Sequence, residues 1–127
     1  MSLQTDNLVM EKAEDFAIRI CKLNNYLIDT KHEKVINNQI LRSGTSIGAN
    51  IAEAEFAEST IDFVHKLKIS RKEANETKYW LRILYRTEKI NESEFKSMLF
   101  DCDLIIKLLT KIILTSQNRP QKENSLG

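Results

Sequence analysis

Proline and glycine are nearly absent from this chain of 127 residues, which has one proline and three glycines. Because proline breaks helices and Pro120 lies close to the end, helices can run through almost the whole chain. Alternation of apolar and polar residues at period two is also lacking, so no strand is predicted. The length fits one domain that buries a core without disulfides or metals.

The sequence also lacks a strong net charge, a signal segment and a membrane-length apolar run. Its 19 basic and 18 acidic residues give a net charge of +1, so it has no general attraction for nucleic acid or anionic lipid. The start, MSLQTDNLVMEK, has no apolar signal core, and Lys107 and Lys111 interrupt the most apolar stretch. We therefore expect a cytoplasmic protein with no membrane partner.

The few cysteines and histidines form no catalytic or metal-binding pattern. Cys21 and Cys102 each fall on an apolar helical stripe, which predicts small core residues in a reducing compartment. Di-metal bundles need paired Glu-x-x-His motifs, and the single near match is Asp62-x-x-His65. We therefore predict no catalytic residue, no metal, no cofactor and no enzymatic activity.

Amphipathic segments separated by short polar breaks cover most of the chain. Their apolar residues recur at helical spacing, and the segments begin near residues 7, 33, 59 and 91. Long helices with short connections are typical of bundles, so the predicted fold is all-α: an antiparallel up-down-up-down four-helix bundle. We predict the bundle over residues 1–115 and a mobile tail over 116–127.

Local signals mark where three of these helices begin. Asn7 is a plausible N-cap of the first, and Ser59 opens the third in a pattern close to a capping box. Asn91 begins the fourth, with Glu94 three residues later. Core positions of the third helix alternate at spacings of three and four over three heptads, as in a coiled-coil seam.

The segment RSGTSIGANIAEAE, from Arg42 to Glu55, places glycines inside a predicted helix. Gly44, Gly48 and Ala52 recur every four residues and form one small strip. A mid-helix glycine costs roughly 1 kcal/mol against alanine, so we expect close approach by another helix. A polar strip of Ser43, Ser46, Asn50 and Glu53 runs beside it. The predicted oligomer interface comprises Ser43, Gly44, Ser46, Gly48, Asn50 and Glu53, with Glu73, Glu76 and Trp80 of the third helix.

The third helix also concentrates positive charge. Between Ser59 and Lys89 there are eight basic and four acidic residues, a difference of 8 − 4 = +4 in a chain of net charge +1. A basic flank carrying a tyrosine fits a phosphate backbone, and the predicted nucleic-acid contacts are Lys68, Arg71, Lys72, Tyr79, Arg82 and Arg86. The alternative is a solvated face, or cations paired with Glu11, Glu14 and Asp15 of a neighbouring helix.

Residues of two helices together resemble a known family. The pattern is Arg42-Ser43, Ser46-Ile47, Ala49 to Glu53, then Glu73, Glu76 and Trp80-Leu81. It is similar to the four-helix-bundle proteins encoded in intervening sequences of bacterial large-subunit ribosomal RNA genes. The resemblance implies a ring-like homopentamer and a relationship to the accessory protein of diversity-generating retroelements, a basic barrel that binds nucleic acid and a reverse transcriptase. It implies no catalytic residue.

Two hypotheses of function follow. A third, that the protein is a small metalloenzyme, is the weakest of the three. The first is a non-enzymatic, self-assembling scaffold that binds RNA or an RNA-associated protein through the basic face of the third helix. The second is a purely structural or protein-interaction homo-oligomer with no nucleic-acid role.

Overall fold

The computed structural model describes residues 3–118, with side chains from residue 7. Within this range it contains helices and no strand, which confirms the predicted all-α class. The helices are α1 (Leu3–Lys31), α2 (Val35–Ala54), α3 (Thr60–Arg86) and α4 (Glu92–Gln117).

Short connections turn the chain back on itself after each helix. Each helix packs on the next, and α4 closes the bundle against α1. The predicted up-down-up-down topology is confirmed. In this arrangement α1 lies diagonally opposite α3, and α2 lies diagonally opposite α4. The diagonal relationship decides which charged residues can meet.

Two of the predicted helix starts are confirmed by their capping contacts. The Ser59 hydroxyl accepts a hydrogen bond from the Asp62 backbone N–H at 3.0 Å. Asn91 and Glu94 form a full capping box, each side chain accepting from the other's backbone N–H, at 2.8 and 3.0 Å. The Asn7 cap is wrong, because α1 already begins at Leu3. The apolar pattern in the sequence marks the residue at which the helix becomes buried. The helix itself can begin before that residue.

The C-terminus of α3 ends in a Schellman motif. The Lys89 N–H donates to the Leu84 carbonyl at 2.8 Å, and the Glu88 N–H donates to the Tyr85 carbonyl at 3.0 Å. Glu88 occupies the left-handed position with φ of 62°, where glycine is the favoured residue. The motif turns the chain towards α4 and leaves backbone strain at Glu88.

The core follows the predicted apolar stripes with small shifts. Buried positions of α3 include Leu67, Ala74, Leu81 and Leu84, with Val64 more buried than the predicted Phe63. On α4 the buried residues are Met98, Cys102, Ile105, Leu109, Ile112, Ile113 and Ser116.

The two cysteines have different environments. Cys102 is buried, as predicted, with its Sγ 3.2 Å from the Ala74 carbonyl oxygen. Burial raises the pKa of Cys102 to about 12, so it stays a protonated thiol at neutral pH. The core assignment of Cys21 is wrong, because Cys21 is exposed. The preceding residue, Ile20, points into the core. Because consecutive residues on a helix point about 100° apart, Cys21 points away from the core.

The end of α4 lies slightly beyond the predicted limit of the bundle at residue 115. The helix continues to Gln117, and Ser116 is only 2 % exposed. The rest of the predicted mobile tail, residues 119–127, lies outside the described residues. No described helix combines the length and the apolar character needed to cross a bilayer.

Candidate functional site

The small strip of α2 faces α1 of the same chain. Gly44 is buried, and a Cβ added there would lie 2.7 Å from Cγ1 of Ile20. A Cβ added at Gly48 would lie 3.6 Å from Cβ of Ala13. The predicted close approach by another helix is therefore present, but that helix is α1 of the same subunit. This corrects the assignment of Gly44 to an interface between subunits.

Buried hydroxyls join α2 to α3. Thr77 Oγ1 lies 2.8 Å from Ser43 Oγ and 2.8 Å from the Glu73 carbonyl oxygen. Since each hydroxyl has one proton, both contacts are satisfied when Thr77 donates to the carbonyl and Ser43 donates to Thr77. Ser43 is fully buried, so its assignment to a subunit interface is also wrong. Its side chain faces α3 of its own chain.

The rest of the polar strip remains accessible along α2. The Ser46 hydroxyl donates to the Arg42 carbonyl at 2.7 Å, and Asn50 Nδ2 donates to the Ser46 carbonyl at 2.8 Å. Glu53 forms an ion pair with Lys66 of α3 at 3.2 Å. Each of these side chains thus makes one hydrogen bond or ion pair within the chain, while Ser46, Gly48 and Asn50 stay half-exposed and Glu53 is exposed.

A charged cluster connects α2 and α3 beside this strip. Arg42 Nη1 lies 2.9 Å from Glu73 Oε2, and Arg42 Nη2 forms a second ion pair with Glu76. Trp80 Nε1 donates to Glu76 Oε2 at 3.0 Å. The Trp80 hydrogen bond, followed by Arg42, holds the pKa of Glu76 below its ordinary value. The structure thus brings the predicted residues Glu73, Glu76 and Trp80 together.

Arg42 was not among the predicted site residues, although it organises this cluster. A usable signal existed: Glu73 and Glu76 are three residues apart and share one helix face, so they need a cation on the neighbouring helix. The sequence alone does not show which cation meets them.

Most of the predicted nucleic-acid residues form one exposed line along α3. We call this line the basic strip, and it consists of Lys68, Lys72, Tyr79, Arg82 and Arg86, all exposed. Their positions differ by three, four or seven, so they share one helix face over about 27 Å at 1.5 Å per residue. Arg82 lies 6.0 Å from the centroid of the Tyr79 ring, within cation–π range.

The cations of the basic strip form no direct ion pair among the described residues, although Lys72 lies close enough to Glu76 to help lower the pKa of that carboxyl. The ion pairs of residues 7–118 involve Arg19, Arg42, Lys66, Lys78 and Lys96, and none of them includes a residue of the strip. Such unpaired cations keep their field directed into solvent. Pairing of the strip with Glu11, Glu14 and Asp15 does not occur within the described chain, because α1 lies diagonally opposite α3.

Arg71 is separated from the strip. Its Nη1 donates to Thr110 Oγ1 of α4 at 3.2 Å, and the residue is half-buried. Lys78, on the same side of α3, pairs with Asp103 of α4 at 2.7 Å. These two basic residues therefore contact α4 and do not extend the exposed line.

Metal-ligating side chains are scattered over the described surface. Among the described residues, no group of three or more His, Cys, Asp or Glu could hold a metal ion. The candidate site is consequently a pair of adjoining surfaces, the polar strip of α2 and the basic strip of α3.

The fold is an antiparallel four-helix bundle of long helices joined by short connections. The family model described as 23S rRNA-intervening sequence protein matches residues 5–111, and the chain belongs to this family. It is similar to a crystal structure from Bacteroides thetaiotaomicron of a protein with unknown function from the S23 ribosomal protein family. The two are 52 % identical with a TM-score of 0.85, covering 86 % of this chain and 97 % of the other. No curated protein matches the chain.

Proposed function

We propose that the protein is a non-enzymatic, cytoplasmic, self-assembling helical scaffold that binds RNA through the basic strip of α3. The observation that carries this proposal is the row of exposed cations that form no direct ion pair among the described residues, at Lys68, Lys72, Arg82 and Arg86. Because the cations of the basic strip lie along one line, they create a local positive field in a chain that is almost neutral overall. Such a field suits an extended polyanion.

The spacing along the strip fits a nucleic-acid backbone. Cations four residues apart on a helix are separated by about 6 Å along its axis, similar to the distance between neighbouring phosphates. Tyr79 lies in the middle of the strip and is 48 % exposed, so its ring can stack on an unpaired base. Together these features favour single-stranded RNA, in which bases are free to stack.

The test is the salt dependence of RNA binding. Affinity for a fluorescent single-stranded RNA is measured by anisotropy from 50 to 200 mM salt, in steps of about 50 mM. Four phosphate contacts predict a slope of log K against log salt of about −3. Arg82→Glu/Arg86→Glu should reduce that slope by about half and weaken binding at every salt concentration.

The matched control reverses the same number of charges on the diagonal helix. Lys22→Glu/Lys31→Glu changes two exposed cations of α1 and should leave the slope unchanged. RNA binding that is absent at 50 mM salt, or equally weakened by both double variants, would rule out the basic strip as the binding surface. Retention of an RNA-associated protein by an otherwise RNA-free sample would point to a protein partner instead.

We propose further that the chain assembles as a homopentamer through the accessible polar strip of α2 and the adjoining Arg42 cluster. The support is the composition of this face: Ser46 and Asn50 are half-exposed and each donates one hydrogen bond within the chain. Gly48, at the edge of the contact with α1, is half-exposed as well. A second helix can approach such a surface closely, because the side chains are short and the glycine has none. The family resemblance supplies the expected number of subunits.

Matched asparagine substitutions on α2 test this assembly. Asn50→Arg introduces a long cation on the polar strip, whereas Asn38→Arg makes the same change on an exposed face about 120° around the helix. Native mass spectrometry should show a pentamer for the native chain and Asn38→Arg, and smaller species for Asn50→Arg. A monomeric native chain, or a pentamer that tolerates Asn50→Arg, would contradict the proposed interface.

The alternative function is a purely structural or protein-interaction homo-oligomer. The observation that favours it is the overall balance of charge, a net +1 for the whole chain. It predicts an oligomer that binds no RNA even at 50 mM salt, so the experiments above distinguish the two functions.

A further inference from the structure

The outward side of α1 carries exposed carboxylates that form no ion pair among the described residues. We call this side the acidic face, and its members, all exposed, are Glu11, Asp15, Ile18, Lys22, Asn25 and Asp29. Consecutive members are three or four residues apart, so they share one side of the helix. Lys22 is the only cation among them. The acidic face thus has the charge opposite to that of the basic strip.

Contacts through α2 show which residues of α1 and α3 lie at the same height along the bundle. A Cβ at Gly48 would lie 3.6 Å from Cβ of Ala13 on α1, and the Ile47 carbonyl accepts a hydrogen bond from the Ser70 hydroxyl of α3. Because Ile47 and Gly48 are consecutive, Ala13 and Ser70 lie at nearly the same height. We call these two the reference residues of α1 and α3.

A second set of contacts gives the same relation two turns further along. Gly44 lies against Ile20 of α1, and the Ser43 hydroxyl contacts Thr77 of α3. Both Ile20 and Thr77 follow the reference residue of their helix by seven positions. Since α1 and α3 run in the same direction, residues equally far from the two reference residues stay level along the bundle.

Opposite charges lie level with each other on the two faces. Glu11 and Asp15 are two residues before and two residues after the reference residue of α1. Lys68 and Lys72 have the same positions relative to the reference residue of α3. The correspondence therefore joins each carboxylate to a lysine at its own height.

The rest of the two faces also matches without bringing like charges together. Asp29 and Arg86 each follow the reference residue of their helix by sixteen positions. Lys22, the single cation of the acidic face, is level with the ring of Tyr79 and with no cation. The remaining level pairs are Ile18 with Asn75 and Asn25 with Arg82.

The acidic face and the basic strip point away from each other in one chain. They lie on the outer sides of α1 and α3, which are diagonally opposite. Two copies placed side by side in the same orientation bring the acidic face of one onto the basic strip of the next, at matched height. Such a contact between two different faces is heterologous, so it can be repeated until a ring closes.

We infer that the acidic face of α1 docks on the basic strip of α3 in a second copy of this chain. Glu11 and Asp15 of one copy pair with the lysines of the other, and the Lys22 ammonium lies over the Tyr79 ring. The inference rests on the proposed self-assembly, because its partner is a second copy, but it uses neither the polar strip of α2 nor RNA. The contact covers the basic strip, so it and the RNA of the proposed function exclude each other.

Disulfide trapping tests the contact. Ile18→Cys/Asn75→Cys puts one thiol on each face at the same height, and Cys21→Ser removes the exposed native thiol. A disulfide needs Cβ atoms about 4 Å apart, so thiols on opposite sides of one bundle can link only between copies. We expect mild oxidation to give a ladder of covalent dimers and larger multiples on a non-reducing gel.

The matched control moves one thiol along the same side of α3. His65 is exposed and lies ten residues before Asn75, which is about 15 Å from the matched height. In the same Cys21→Ser background, Ile18→Cys/His65→Cys should link at least about tenfold more slowly, because its thiols lie beyond the reach of a disulfide.

Charge reversal and its rescue test whether the ion pairs hold the contact. Glu11→Lys/Asp15→Lys should slow the linkage of Ile18→Cys/Asn75→Cys about tenfold, because like charges then face each other. Adding Lys68→Glu/Lys72→Glu restores opposite charges and should recover most of the rate. Raising the salt to about 500 mM should slow the linkage in the chain with native charges. Circular dichroism checks that each variant remains folded.

The inference is overturned if Ile18→Cys/Asn75→Cys links no faster than the His65 control. It is also overturned if the fourfold charge exchange fails to restore the lost rate. Native mass spectrometry of the unoxidised chain reads the number of subunits separately. A pentamer without the cross-link refutes the contact between α1 and α3 alone, whereas a cross-linked ladder without a native pentamer supports this contact and refutes the proposed stoichiometry.

Discussion

The two mid-helix glycines of α2 should respond differently to the same substitution. A Cβ at Gly44 would lie 2.7, 3.0 and 3.1 Å from three side-chain carbons of Ile20, a clash that requires something to move. At Gly48 the nearest atom would be Cβ of Ala13 at 3.6 Å, an ordinary contact. Ile20 is fully buried and β-branched, so its side chain has essentially one rotamer in a helix and cannot swing aside. Alanine at position 44 must therefore displace α1 from α2.

The magnitude follows from two opposing effects. Replacing a mid-helix glycine by alanine stabilises a helix by about 1 kcal/mol at either position. Overpacking a core costs about 1–3 kcal/mol, and it applies only at Gly44. Gly48→Ala should therefore raise the free energy of unfolding by about 1 kcal/mol, and Gly44→Ala should lower it by about 0–2 kcal/mol. The difference between the variants isolates the cost of the clash.

Urea denaturation followed by circular dichroism measures both variants at one fixed chain concentration, because the proposed assembly would make stability concentration-dependent. A double-mutant cycle adds a control: in an Ile20→Ala background, Gly44→Ala should become stabilising, like Gly48→Ala. Equal stabilisation by the two glycine substitutions in the native background would refute the close approach of α1 at Gly44. So would a penalty at Gly44 that persists without the Ile20 side chain.

Other residues give predictions of the same kind. Glu88→Gly should raise the free energy of unfolding by about 0.5–1 kcal/mol in urea denaturation, because glycine relieves the left-handed strain at φ of 62°. Thr77→Val should cost about 1–2 kcal/mol, because it removes the 2.8 Å contact to the buried Ser43 hydroxyl and leaves that hydroxyl only its 3.4 Å contact with the Ile40 carbonyl oxygen. Adding Ser43→Ala should recover part of the loss. The pKa of Glu76 is lowered on folding, so its contribution to stability is complete above about pH 4.5 and is lost as the pH falls through the lower folded value. Fluorescence of Trp80, the only tryptophan, should report this titration below pH 4.5 and should lose the transition in Glu76→Gln.

Each of these predictions has a contradicting outcome. A destabilised Glu88→Gly would mean that the glutamate side chain contributes more than the strain costs. Additive losses in the Thr77 and Ser43 variants would mean that the two hydroxyls are not coupled. A fluorescence transition that survives in Glu76→Gln would assign the titration to another carboxylate.

Features that depend on neighbouring residues of the chain were predictable from the sequence. The Ser59 cap and the Asn91–Glu94 capping box are local, because each contact joins residues three apart. The α3 seam through Leu67 and Leu81 follows from helical periodicity, which fixes the direction of every side chain relative to the next.

Features that depend on which helix lies next to which could not be predicted. Periodicity shows that Gly44 needs a close neighbour, but it does not show that the neighbour is Ile20 of the same chain. It places Arg71 near the basic flank, yet only the packing of α4 reveals Thr110 as its partner. The Cys21 error has the same origin, since an apolar stripe has edges whose burial is set by the neighbouring helices.

Apolar packing alone permits two helices to slide, since one buried isoleucine can replace another a turn along. The contacts of Thr77 with Ser43, and of the Ser70 hydroxyl with the Ile47 carbonyl at 2.7 Å, do not allow such a slip. A shift of one turn, about 5.4 Å, would leave the buried hydroxyls without these partners. The lengthwise offset between α2 and α3 is therefore a fixed property of the chain. Copies joined through the polar strip of α2 would accordingly all carry the basic strip of α3 at the same level.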